Sequence, residues 1–201
     1  MAIRDWAARL LAAGLLVVAV VQAAAPAIYK VKFATSAGDF IVEVHRDWAP
    51  IGADHFQELV AAKFFDQCRF YRVVRRFVVQ WGVNGEPLMN RKWGNLTVKD
   101  DPVKQKNLKG TIAYAKEGVN SRTSMVFINL ADNPRLDSTG FAPFGKVISG
   151  MDVVERLFAG YGDTPPRGEG PDPAKIQMQG NAYLEGRFPR LDYIKKATVV
   201  P

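Results

Sequence analysis

Arg72 and Gln80 are the residues whose types and placing could do chemistry, because each sets a strongly polar group at a fixed place among large apolar residues. They fall in Phe70-Tyr71-Arg72-Val73-Val74 and Phe77-Val78-Val79-Gln80-Trp81, two runs rich in aromatic and β-branched residues. Such runs read as strands, here joined by a tight connection at Arg75-Arg76. With a side-chain period of two, Arg72 shares a face with Phe70 and Val74, and Gln80 shares one with Val78. A guanidinium is permanently charged and rich in donors, and a carboxamide both donates and accepts. The pair suits hydrogen-bond and electrostatic chemistry, although the placing alone favours two solvent-side residues of a half-buried sheet.

Other reactive residues are sparse. His45 and His55 belong to no Cys/His cluster and no paired spacing, so neither a metal site nor a catalytic triad is indicated. There is no Gly-rich phosphate loop. The single cysteine, Cys68, cannot form an internal disulfide and reads as a small buried or half-buried hydrophobe.

Several ordered motifs carry a family resemblance. Phe70-Tyr71-Arg72-Val73, Phe77, Gln80 and Gly82 resemble the cyclophilin signature, with Tyr71 and Val78 as mild departures. Gly110 to Ala115 and Asn120 to Ile128 resemble two further motifs of that family. Leu136-Asp137, Phe144 to Val147 and Gly150 to Val154 complete the series in order, from about Tyr29 to Val199. The resemblance implies peptidyl-prolyl cis/trans isomerisation, with Arg72 as the catalytic arginine and Gln80 holding its guanidinium. It implies an apolar proline slot from Phe77, Val78, Phe127, Leu136 and Phe141, and backbone contacts to an extended peptide near Ala115 and Lys116. Met125 stands where the family commonly has Gln, and Arg135 where many members have an aromatic residue; both departures imply weaker catalysis. No cofactor or metal is implied.

The elements that must position these residues follow from pattern. Tyr29 to Thr35 alternates apolar and polar residues, and Phe40 to Val44 follows across Ser36-Ala37-Gly38-Asp39, a β-hairpin signal. Ala53, Phe56, Leu59 and Val60 share a helical face behind Pro50, predicting a helix over about 51–62. The segment 83–109 is a long loop, either functional or packed on the sheet. Thr111 to Ala115, Met125 to Asn129 and Phe144 to Val147 read as strands, and Ser149 with Asp152 as a capping box opening a second helix. The stretch from Gly160 to Pro173, with four prolines and four glycines, reads as a loop. Ile176-Gln177-Met178 and Ile194 to Val200 read as closing strands. Pattern gives a mainly β domain, a closed antiparallel barrel whose ends two helices plug. The resemblance adds that the barrel is the eight-stranded cyclophilin type.

With 201 residues, 48% hydrophobic and 23% charged, the chain fits one globular domain. The net charge of +7 comes from scattered basic residues, and the aromatic and basic interleaving of a nucleic-acid-binding barrel is lacking. Arg4 and Arg9 precede an apolar run from Leu10 to Val21 that ends in small residues before Pro26. Residues 1–25 therefore read as a secretory signal peptide, with an uncleaved anchor as the alternative, and 26–201 as the isomerase domain. The expectation is an exported, periplasmic or secreted monomer without stable membrane association, acting on proline-containing polypeptides and assisting the folding of exported proteins. The alternative is a cyclophilin-like binding or chaperone module with little turnover.

Overall fold

Alternation from Tyr29 onward becomes β1 (Ile28–Thr35), which buries Tyr29, Val31, Phe33 and Thr35 and leaves Lys30 and Lys32 half-exposed. It turns into β2 (Asp39–His45), antiparallel with Phe33 opposite Phe40, and those two rings stack at 4.9 Å. The computed structural model describes residues 26–201, so the segment read as a signal peptide lies outside the described residues. Helix α1 (Pro50–Ala61) starts on Pro50, where a missing N–H costs nothing, and buries Ala53, Phe56, Leu59 and Val60. Strands β3 (Arg72–Val74) and β4 (Val78–Trp81) form the expected hairpin, with Arg76 in the left-handed region at φ 61.

The remaining strands are β5 (Thr111–Tyr114), β6 (Val126–Asn129), β7 (Pro143–Ser149) and β8 (Ile194–Val200). They form one eight-stranded sheet in the order β3-β4-β6-β5-β7-β2-β1-β8, antiparallel throughout. The sheet curls around an aromatic core in which Trp81 meets Phe33 and Phe70 edge-on and Phe56 packs on Phe144. The mainly β architecture matches the sequence reading, and the eight strands match the number that the family resemblance implies.

Closure differs from expectation. No ladder joins the edge strands β3 and β8, so the sheet is curled and open. The segments just before them are pinned by the Gln67 N–H on the Ile194 carbonyl, the Phe70 N–H on that of Asp192 and the Ile194 N–H on that of Cys68. Gln67 adopts φ 63, which interrupts the extended run a continuous ladder would need.

The helices also exceed the two expected. Besides α1 there are α2 (Pro87–Met89), which runs into a π-turn at Asn90–Gly94, α3 (Pro134–Ser138), α4 (Met151–Arg156), α5 (Pro173–Gln179) and α6 (Asn181–Arg187). Ile176-Gln177-Met178 is thus helical, not a strand. Pro173 opens α5, the Asp172 carboxylate caps it by accepting from the Ala174 N–H, and an apolar window of three residues cannot separate the two states. The capping box fails as well: Gly150, in the left-handed region, takes the N-cap of α4 and no side chain caps it. Helices α5 and α6 bury Ile176 and Leu184 against Tyr71, Val83 and Leu191, a second small core on the flank of the sheet. No described helix is long and apolar enough to cross a membrane.

Candidate active site

The β3–β4 register sets Arg72 directly opposite Gln80. Arg72 Nη1 donates to Gln80 Oε1 at 2.9 Å, and Gln80 Nε2 donates to the Tyr71 hydroxyl at 2.7 Å. The amide is therefore oriented, carbonyl toward the guanidinium and NH2 toward the phenol. Tyr71 is fully buried, which pushes its hydroxyl well above the usual phenol range and keeps it neutral.

A residue that sequence reasoning missed completes this group. Asp163, in the loop that follows α4, accepts from Arg72 Nε at 2.6 Å and from Nη2 at 3.3 Å, a bidentate pair. Burial works to raise the Asp163 carboxyl, but the hydrogen bond and charge of Arg72 outweigh it and hold it below its ordinary value. Nothing in the local pattern of a Gly- and Pro-rich loop could have pointed to it.

Beside the guanidinium lies the apolar cluster that the sequence reading assigns to a proline slot. Val78, Ala113 and Phe127 form one buried cluster, with Phe77, Ala115, Leu136 and Phe141 packed against it. The Arg72 guanidinium carbon stands 5.4 Å from the Phe77 ring centre, and Phe127 meets Phe141 edge-on at 5.7 Å. Phe127 is placed by pairing opposite Gln80 on β4 and Ala113 on β5. The walls that come from loops are held by a web of asparagines. The Phe77 carbonyl accepts from the Leu130 N–H at 2.8 Å and from Asn133 Nδ2 at 3.1 Å. Asn133 Nδ2 also donates to Asn129 Oδ1 at 2.7 Å, while Asn129 Nδ2 donates to Thr111 Oγ1 at 2.9 Å and Asn107 Oδ1 at 3.1 Å. Asn107 Nδ2 in turn donates to the Phe141 carbonyl at 2.9 Å and to Asp137 Oδ1 at 2.8 Å. The sequence reading missed Asn107, Asn129 and Asn133 as supports.

Ala115, Lys116 and Met125 stand around this cluster. The Ala115 N–H donates to the Met125 carbonyl at 2.9 Å, so that donor is already used within the protein. Lys116 Nζ pairs with Asp100 at 2.8 Å and lies 5.8 Å from the Phe141 ring centre, at the rim of the slot. This rim is braced from behind. Arg122 pairs with Asp101 at 3.0 Å, and Asp101 accepts from the N–H groups of Ile51 and Gly52 at the start of α1. The Met125 side chain packs with the Tyr71 cluster and not with Phe127, so it flanks the partner of Gln80 instead of lining the slot.

Among the described residues no three His, Cys, Asp or Glu side chains converge as metal ligands would. His45 stacks on Trp48 at 4.2 Å. His55 contacts the Thr123 carbonyl at 3.1 Å, and burial foremost lowers its pKa. Cys68 is buried, donates to the Phe64 carbonyl at 3.4 Å, and is pushed well above the usual thiol range by desolvation.

The chain is similar to known proteins in sequence and in fold. Residues 30–177 match the family model described as cyclophilin type peptidyl-prolyl cis-trans isomerase/CLD. A peptidyl-prolyl cis-trans isomerase of Acinetobacter baylyi is 36% identical over 133 residues, 63% of this chain and 70% of that protein. Peptidyl-prolyl cis-trans isomerase B of Escherichia coli is 32% identical over 136 residues, 63% of this chain and 82% of that one. The crystal structure of a Cryptosporidium parvum cyclophilin type peptidyl-prolyl cis-trans isomerase superimposes with TM-score 0.62 at 19% identity, covering 87% of this chain and 98% of that one. Its structure in the presence of the dipeptide Ala-Pro gives the same TM-score, 0.62.

Proposed function

The chain belongs to the cyclophilin-type peptidyl-prolyl cis-trans isomerase family, and on that premise we propose that Arg72 is the catalytic group of its isomerase reaction. The barrier to rotation about a peptide bond, about 18–20 kcal/mol, comes from amide resonance. As the C–N bond twists, the proline nitrogen becomes pyramidal and gains a lone pair. A donor set against that nitrogen stabilises the twisted state more than the planar one. Arg72 supplies the donor, Gln80 holds it, and the ring of the substrate proline enters the slot between Phe77, Phe127, Leu136 and Phe141, with Val78 at its base. Ala115 and Lys116 flank the path of the extended peptide, and Met125 supports Tyr71 behind Gln80. The observation that carries this reading is the guanidinium fixed by Gln80 beside an apolar cluster that includes Phe77 and Phe127.

Its setting is part of the proposal. The apolar run from Leu10 to Val21 and the small residues after it support export to a periplasm or beyond, with residues 26–201 acting as a monomer on proline-containing segments of other exported proteins.

Cis/trans exchange on a short X-Pro peptide tests the assignment. Arg72→Ala is expected to lose activity by roughly a hundred- to a thousandfold with circular dichroism unchanged, the usual effect of removing one preorganised donor. Arg72→Lys should rescue little, because a flexible ammonium does not reproduce the planar fork. Full activity in folded Arg72→Ala would overturn the assignment. Undiminished peptide binding with negligible turnover in the parent would favour the binding module.

A further inference from the structure

The stretch from Gly160 to Pro173 is irregular up to the start of α5, yet it is tied down along its length. Tyr161 meets Phe158 and Phe188 edge-on, at 5.1 and 5.0 Å. The Asp163 carbonyl accepts from the Gly170 N–H at 2.9 Å, and the Asp163 carboxylate accepts from the Thr164 N–H at 2.8 Å. A Cβ at Gly168 or Gly170 would press into the Asp163 carbonyl oxygen well inside van der Waals contact, so glycine is what lets the loop fold back this tightly. A carboxylate remote from Arg72 in sequence is thereby delivered to a fixed point.

Donor arithmetic shows what it leaves. A guanidinium carries five N–H donors. Asp163 takes the one on Nε and one on Nη2, and Gln80 takes one on Nη1. One N–H on each terminal nitrogen remains for a substrate amide. Gln80 alone would fix one corner of the plane and leave it free to swing, whereas a second anchor along the Nε edge fixes its orientation as well.

From this geometry we infer that Asp163 is a positioning residue for the isomerisation, holding the Arg72 guanidinium so that its two remaining donors face the slot. The inference rests on Arg72 being the catalytic group. Neither remaining donor has a hydrogen-bond partner among the described residues.

The test compares Asp163→Ala, Asp163→Asn and Arg72→Ala, with the exchange rate at saturating proline peptide and the peptide affinity measured separately. Loss of orientation is expected to lower the Asp163→Ala rate by about tenfold to a hundredfold, with affinity little changed. Asp163→Asn keeps its shape and one acceptor oxygen, and should fall between. The Nε–H signal of Arg72 in nitrogen-15 NMR should exchange with solvent faster in Asp163→Ala while the other amides hold their positions. An unchanged rate in folded Asp163→Asn and Asp163→Ala would overturn the inference, and a raised rate or affinity would make Asp163 a latch. If Asp163→Ala does not fold, an unchanged rate in Asp163→Asn alone overturns it. Full activity in Arg72→Ala would instead remove the catalytic reading beneath it, whatever the Asp163 variants do.

Discussion

Arg72 lies on the outer face of the sheet, opposite the core that takes its neighbour Val73, and its surroundings decide how the reaction responds to pH. The side chain is 12% exposed and its carboxylate partner 21%, so the pair is only partly screened by water. Asp163 is held below the ordinary carboxylate range, so the pair adds stability that is present above the unfolded value, about 3.9, and lost as pH falls through the lower folded value. Across mildly acidic to mildly alkaline pH nothing in the proposed chemistry titrates. The exchange rate of a proline peptide is therefore expected to stay flat over that interval, and a bell-shaped profile would expose a titrating group in the reaction. At this scale Arg72, Gln80, Phe77 and Phe127 were legible because a short hairpin and its neighbouring strand carry them in local motifs. Asp163 was not, since a loop without periodicity gives no sign of where it will land. Met125 was legible in position only; its side chain turned to Tyr71 because α5 and α6 provide an apolar surface there.

Between elements, the asparagine web does work that strand pairing cannot. Asn129 closes β6 fully buried, and its amide links β5, the loop before it and α3 through Thr111, Asn107 and Asn133. Asn129→Ala would leave buried partners unpaired, at about 1–3 kcal/mol for each group so stranded. A loss of that order in a urea titration is expected, together with weaker proline-peptide binding as the Phe77 and Phe141 walls loosen. A variant as stable and as tight-binding as the parent would show that the strands alone hold the slot. The strands themselves were readable from alternation, and α1 from its apolar face and Pro50. Helices α5 and α6 were not, because their apolar residues are too few to set a period and the burial of Ile176 and Leu184 depends on a surface supplied by Tyr71 and Val83. Capping of α4 misled for a related reason: Ser149 ends β7, and the backbone turns at Gly150 instead.

For the whole molecule, eight of the nine runs that local pattern reads as strands are strands, whereas their order depends on pairings between distant segments that no local pattern contains. The joint between β1 and β8 is the most distant of them, with Phe33 opposite Ala197 and Lys30 opposite Val200. During refolding β1 can pair early with β2 through a four-residue turn, but its other side must wait for the strand that arrives from the far end of the sequence. Until then a row of unpaired N–H and C=O groups runs beside Tyr29, Val31 and Phe33, an open template for the β8 of another copy. Recovery from denaturant should therefore fall as protein concentration rises, with dimers that have exchanged β8 among the products. Light scattering and size-exclusion chromatography after dilution would reveal this, and a yield independent of concentration would mean that β8 docks before two chains can meet. The joint that completes the sheet is then also the place where one molecule can be mistaken for half of two.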